Sequence, residues 1–353
     1  MGAATLGATL SCALPLGPGD RIQLGHGSGG KLSAALLKHC FLPHLGNPTL
    51  AQLGDGAVVS VEAGEIVVST DSFVVSPLVF PGGDIGSLAV HGSLNDLAMM
   101  GAEPRWLTAG FIIEEGLLLA ELTRIVQSMG DAARAAGIPV ITGDTKVVER
   151  GKGDGLFINT TGIGVRYSRA RPAPDRARPG DAVLVSGPIG RHGMAIMAAR
   201  GSLGFEGALE SDSACLWPMV RGLVDLLGEE LHVLRDPTRG GVASALNEIA
   251  AASGVGVVLQ DGLLPIPEAV NAACEMLGLD PLYVANEGMF VAFCPHALAA
   301  EALRTLRAHP LGEQAAVVGR VVADHPGFVV LETALGTQRV VDLLPGDQLP
   351  RIC

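Results

Sequence analysis

Ser87-Leu88-Ala89-Val90-His91-Gly92-Ser93-Leu94-Asn95-Asp96-Leu97-Ala98-Met99-Met100 is an apolar run that stops at Gly101. It reads as a helix closed by a glycine cap, with Asn95 and Asp96 inside it. An unpaired carboxylate is costly to bury, so Asp96 needs a cation or a donor. A strand over 65–70 precedes this helix and another over 106–113 follows it. Next comes a long helix over 117–136, whose Leu118, Leu122, Ile125, Met129 and Ala133 recur every three to four residues before Gly137. Strands over 139–142 and 156–165 complete the first half.

The stretch 169–180 holds three prolines and four arginines around one aspartate and has no apolar period, so it reads as a linker. Beyond it the alternation resumes. A strand over 182–186 leads into helices near 191–199, 213–227 and 240–252. A strand over 255–260, a helix over 268–277, a strand over 289–294 and a helix over 296–308 follow. Two strands running to Val322 and a hairpin turning at Gly336 end the pattern. The organisation is therefore a lead-in over 1–20, a domain over 21–168, the linker, a second domain over 181–344 and a tail over 345–353. Both halves are α/β by pattern, and 353 residues at roughly 150 per domain fit two cores.

Composition removes several function classes. The chain is 48% apolar and 17% charged, which excludes disorder and coiled coil. Its net charge of −12 repels phosphate backbones and anionic lipid, so nucleic acid is not expected as a partner. Apolar stretches break well before the roughly 20 residues that cross a bilayer, so no membrane association is expected. Six cysteines, at 12, 40, 215, 274, 294 and 353, show no spacing that builds a zinc site and suggest a reducing cytoplasm. The first basic residue is Arg21, so the positive start of a secretory signal is missing and a cytoplasmic location is expected.

The chain ends Pro345-Gly346-Asp347-Gln348-Leu349-Pro350-Arg351-Ile352-Cys353. This segment is too short and turn-rich for another core element and is expected to be a mobile arm. Nine extended residues reach about 30 Å, enough to carry a thiol between sites. Prenylation needs cysteine four places from the end and does not explain a terminal one. A fortuitous exposed cysteine competes with a reactive one, because Arg351 favours the thiolate and the adjoining carboxylate opposes it.

Aspartates cluster at turns and strand ends of the first half: Asp55, Asp71, Asp84 and Asp144. Converging carboxylates suit Mg²⁺ on a nucleotide, although turn aspartates commonly serve only as caps. Gly25-His26-Gly27-Ser28-Gly29-Gly30-Lys31 opens a helix whose amides could cradle an anion, but its spacing is not a Walker loop and a flexible turn competes. Asp236-Pro237-Thr238-Arg239-Gly240-Gly241 precedes another helix, as an anion nest or a plain cap. Asn286-Glu287-Gly288 puts a carboxylate at a strand start, as a general base or a solvated turn.

These segments together resemble the HypE family of hydrogenase-maturation proteins. That family lies within the superfamily of ATP-using enzymes that includes aminoimidazole ribonucleotide synthetase and selenophosphate synthetase. The resemblance runs from about Ile22 to Cys353. It rests on the glycine-rich loop, Gly54-Asp55-Gly56-Ala57, Thr70-Asp71-Ser72-Phe73, Gly92 through Leu97 with Gly101-Ala102, Gly143-Asp144-Thr145-Lys146, the Asp236 and Asn286 motifs, and above all Pro350-Arg351-Ile352-Cys353. Arg191 departs from the family pattern, which tends to be acidic there.

The resemblance implies a two-domain PurM-like fold of mixed α/β type and an ATP-dependent carbamoyl dehydratase. A carbamoyltransferase, HypF, would load Cys353 as S-carboxamide, and ATP would drive water loss to S-cyanate for hydrogenase iron. It further implies Cys353, Lys146 and Glu287 as catalytic groups. Nucleotide contacts would come from Gly27, Ser28, Gly29, Gly30, Asp55, Asp71, Asn95, Asp144 and Arg239, and Mg²⁺ contacts from Asp55, Asp71, Asp84 and Asp96. A homodimer and a HypC–HypD partner complex are implied as well. A selenophosphate synthetase or thiamine-monophosphate kinase type would share the aspartates but leave Cys353 unexplained. A non-catalytic thiol carrier would turn over no nucleotide.

Overall fold

The computed structural model describes residues 17, 19–28, 31–52, 57, 59–61, 64–201, 209–343, 349 and 351–353. Helix α1 (Lys31–Leu36) passes through a wider turn into α2 (Leu42–Leu45). Strand β1 (Ile66–Phe73) leads through the short pair β2 (Val79–Phe80) and β3 (Gly83–Asp84) to α3 (Ile85–Met99). Strand β4 (Ala102–Glu114), helix α4 (Leu119–Ala136) and strands β5 (Val140–Val148) and β6 (Leu156–Arg166) complete the first unit. The sheet order is β1-β6-β4-β5, with β4 and β5 parallel across α4 and the other neighbours antiparallel.

Helix α3 is apolar on nearly all sides, as a buried helix should be, and from Ile85 to Met99 only Ser87, His91 and Asp96 escape full burial. Helix α4 instead shows one stripe, Leu122, Ile125, Val126, Met129 and Ala133, to the core. It stops at Gly137, whose φ of 73° is the left-handed cap that a glycine takes without strain. Strand β5 runs six residues beyond the expected 139–142, because Gly110 to Glu114 of β4 continue the parallel ladder opposite Asp144 to Val148. Asp144 and Lys146 therefore lie within a sheet-edge strand rather than beyond its end.

No helix or strand interrupts the stretch between Arg166 and Asp181. The second unit contains β7 (Asp181–Val185), α5 (Arg191–Ala199), α6 (Trp217–Leu227), β8 (Val233–Arg235), α7 (Gly241–Ser253) and β9 (Gly256–Gln260). Then come α8 (Glu268–Leu277), β10 (Val291–Pro295), α9 (His296–Arg307), β11 (Ala316–Val322), β12 (Val329–Glu332) and β13 (Gln338–Val341). Where two strands were expected before Val322 there is one, bent by a register shift between Val317 and Gly319. The sheet order is β13-β12-β9-β11-β7-β10-β8. Strand β7 is buried throughout because both faces are covered. Val183 and Val185 join the cluster of Val242, Leu246 and Ile249 from α7, whereas Ala182 and Leu184 join Leu223 and Val224 of α6 and Leu306 of α9.

A third apolar cluster ties the two units together. It holds Phe80 and Leu88 of the first unit, Met194, Ile196, Val270 and Cys274 of the second, and Leu349 and Ile352 of the carboxyl end. The described residues of the carboxyl end are docked here: Leu349 and Ile352 are each about 95% buried. No helix among the described residues is long and apolar enough to cross a membrane.

Candidate functional site

The docked end delivers Cys353 to the seam between the units. The Ile352 carbonyl accepts from His192 Nε2 at 2.9 Å. The Arg351 carbonyl accepts from the Ser76 amide at 3.2 Å and from Arg200 Nη2 at 2.7 Å, while the Arg351 side chain pairs with Asp154. The Cys353 thiol and the Glu287 carboxyl are near enough for each to feel the other's charge. Burial, then the Glu287 charge, hold this thiol far above its ordinary range, so at neutral pH the docked end carries S–H rather than thiolate.

Glu287 is itself buried, and its Oε1 has no hydrogen-bond partner. Burial first, then the charges of Asp236, Asp212 and Asp71, push its carboxyl well above the carboxylate range. Its backbone is pinned: Asp212 accepts from the Glu287 amide at 3.1 Å and the Gly288 amide at 3.0 Å. Position 288 must be glycine, because a Cβ there would stand 1.6 Å from the Asp212 carbonyl oxygen. Asn286 ties this turn to the Asp236 motif, its amide nitrogen donating to the Pro237 carbonyl at 3.1 Å.

Asp71 and Arg239 act on the thiol, Asp236 acts on Glu287, and Asp96 neighbours Asp236. Asp71 and Ser69 share one face of β1, and Ser69 donates to Asp96 on α3 at 2.6 Å. Arg239 reaches Asp71 across the seam at 4.0 Å. Asp236 is raised to about 7 by burial and by the neighbouring Asp96 charge, and Asp96 is raised by burial and by Asp71. Among the described residues no three His, Cys, Asp or Glu groups converge as a complete metal shell. The mutual repulsion of these carboxyls is nevertheless what a divalent cation relieves, and Mg²⁺ commonly takes only one or two carboxylates beside phosphate oxygens.

Other expected site residues have structural contacts. Asp84 caps α3, its Oδ1 accepting from the Gly86 and Ser87 amides at 2.9 and 3.0 Å. Asn95 is buried at the seam, where it donates to the Ala214 and Glu287 carbonyls at 3.0 and 3.3 Å and accepts from the Leu216 amide at 2.8 Å. Gly27 presses on β5, where a Cβ would meet the Val147 nitrogen at 2.5 Å, and Ser28 Oγ donates back to the Gly25 carbonyl at 2.9 Å. Gly29, Gly30 and Asp55 lie outside the described residues. Lys146 and Asp144 form an ion pair of 2.9 Å on β5 and line a cleft with His26, Gly27, Ser33 and Phe111. In one chain β5 is three strand spacings from β1, about 14 Å, so this pair does not join Asp71 and Cys353.

Residues 53–166 match the N-terminal domain of AIR synthase related proteins, and residues 178–332 match their C-terminal domain. Carbamoyl dehydratase HypE of Azotobacter vinelandii is 54% identical over 332 residues, which cover 94% of this chain and 97% of that protein. The chain belongs to the HypE family of carbamoyl dehydratases. A solved HypE in complex with ATP is 50% identical, covers 94% of this chain with 99% of its own, and superposes with a TM-score of 0.90. The chain of a HypE–HypF complex is 46% identical, with coverages of 88% and 100% and a TM-score of 0.77.

Within this HypE-family site, sequence reasoning missed Asp212, His192, Ser211 and Arg200. His192 sits in the glycine-flanked turn Gly190-Arg191-His192-Gly193, where only Arg191 drew attention; the other three sit in no such motif, and only the folded seam brings them to the tail. Asp236 stood inside a recognised motif, yet its burial against Asp96 had no signal in the sequence.

Proposed function

We propose that this HypE-family carbamoyl dehydratase of hydrogenase maturation works on its own carboxyl end. The substrate is the S-carboxamide of Cys353, and the product is the S-cyanate, a cyanide source for the iron of [NiFe]-hydrogenase. The observation that carries this reading is the docking of the terminal thiol against the buried Glu287.

The carboxamide oxygen attacks the γ-phosphorus of ATP, and the P–O bond to ADP breaks. The amide then carries phosphate instead of a poor hydroxide leaving group. Removal of the two nitrogen protons and departure of inorganic phosphate form C≡N, so one ATP gives ADP and phosphate. The nitrogen is two bonds from sulfur, which would bring it toward the carboxyl whose charge acts on the thiol. A carboxyl whose affinity for protons is raised by burial is a stronger base than an ordinary one once ionised. Arg239 would meet phosphoryl charge. Asp71 and Asp96, with Asp236 behind them, would hold Mg²⁺, which supplies neutralisation of phosphate charge when bound.

Lys146 enters through a second copy. The open face of the first sheet carries Ile66, Val68, Trp106, Ile112 and Ile163, and Val68 is 61% exposed. Pairing two such faces about a two-fold axis along the strands sets β5 of one subunit opposite β1 of the other. A homodimer would therefore bring Lys146 and Asp144 over the open face of β1, the strand that carries Asp71 on its other face. HypF supplies the carbamoyl group, consistent with the solved HypE–HypF pair. A HypC–HypD complex takes the cyanide, and the setting is cytoplasmic.

The test is the mass of the C-terminal peptide after incubation with HypF, carbamoyl phosphate, Mg²⁺ and ATP. A carbamoyl adduct on Cys353 that loses water only with ATP supports the reading. An adduct elsewhere, or none that dehydrates, overturns it.

A further inference from the structure

We propose that His192, held by Ser211, is a positioning residue that fixes how deeply the carboxyl end enters the site and so aligns Cys353 with Glu287. This inference rests on the dehydratase reading above and adds the device that sets its geometry. The Ile352 carbonyl can only accept, so the 2.9 Å contact makes His192 Nε2 the protonated nitrogen. Nδ1 is then an acceptor, and Ser211 Oγ, 2.8 Å away, donates to it. The relay from Ser211 through the imidazole to the Ile352 carbonyl ends one residue before the thiol.

Two further contacts and burial make the relay rigid. Phe80 meets the imidazole edge-on, at 5.6 Å between centroids and 89° between planes. The Ser211 amide donates to the Pro81 carbonyl at 2.9 Å, which straps the loop to the first unit. Burial holds the imidazole below its usual range against the opposing pull of Asp212, so the ring stays neutral and keeps one tautomer. Most telling is the neighbour of Ser211 in sequence: Asp212 pins the amides of Glu287 and Gly288. Two consecutive residues thus locate the two reacting groups, Ser211 the tail through His192, and Asp212 the base directly. An error of about 1 Å in such an alignment is enough to cost on the order of 10²-fold in rate.

The experiment uses the full-length chain, wild type and His192→Leu, with His192→Gln retaining a donor near Nε2. Two quantities are read: iodoacetamide alkylation of Cys353 in the unloaded protein, and dehydration of the carbamoylated protein with ATP. His192→Leu is expected to alkylate at least about tenfold faster, and its kcat for dehydration to fall by about 10–100-fold with the KM for ATP unchanged. His192→Gln restores most of both. Ser211→Ala keeps the ring volume and moves both quantities the same way by a smaller factor, which provides the test should His192→Leu not fold. Folded variants with wild-type alkylation and wild-type dehydration overturn the inference. A wild-type carbamoylated protein that fails to dehydrate would instead refute the dehydratase reading, while the alkylation rates would still decide the clamp.

Discussion

Asn95 in the middle of α3 donates to the backbone carbonyl of Glu287, 192 residues away, at 3.3 Å. With its bonds to Ala214 and Leu216 this amide fastens the base-bearing turn to the first unit. Asn95→Ala leaves two carbonyls and one amide unsatisfied at a buried seam, each costing about 1–3 kcal/mol. Thermal unfolding should therefore begin several degrees lower, with dehydration reduced at temperatures where the variant remains folded. An unchanged melting profile would contradict the fastening role.

Glu287→Gln preserves shape but cannot accept the nitrogen proton. Carbamoyl loading of Cys353 is expected to persist, while the dehydration step slows by about 10²–10⁴-fold. Single-turnover mass spectrometry of the preloaded protein separates the two steps. Dehydration at the wild-type rate would remove Glu287 from the role.

The Glu287 charge is the second cause, after burial, of the raised Cys353 thiol. Neutralising it should move the pH profile of Cys353 alkylation to lower pH in Glu287→Gln, although burial keeps it above that of a free cysteine. An unshifted profile would show that the two groups do not feel each other.

Asp236 titrates at about 7 in the folded protein, against about 3.9 in an unfolded chain. Between those values the folded state binds the extra proton. Stability from this group is therefore complete below about pH 4 and is lost as pH rises toward 7. Asp236→Asn should flatten that decline and raise the melting temperature of the ligand-free protein at pH 8 relative to wild type. A steeper decline in the variant would overturn the assignment.

Periodicity made most of the scaffold legible. The glycine-capped α3 and α4 and the strands around them follow from local residue patterns, which short-range physics sets. The candidate chemistry was legible where a motif carried it, as with Glu287, Asp71, Asp96 and the terminal cysteine. The rest was hidden because it depends on convergence. Leu349 and Ile352 are too few to show a period, so their burial is invisible until α5 and the β2–β3 turn form a receptor. Asp84 and Asn95 are of types that suit a nucleotide site, and only the fold shows that one caps α3 and the other fastens the domain seam. Lys146 was read at a strand end because Gly143-Asp144-Thr145 looks like a turn, and pairing with β4 overrode that local preference.

The central claim is that ATP activates the carboxamide oxygen of the docked Cys353 adduct. The most direct measurement loads Cys353 with an ¹⁸O-labelled carbamoyl group, adds ATP and Mg²⁺, and locates the label. Recovery of ¹⁸O in inorganic phosphate, with S-cyanate left on the C-terminal peptide, is the predicted result. Label released into water, or retained on the peptide while ATP is consumed, would contradict it.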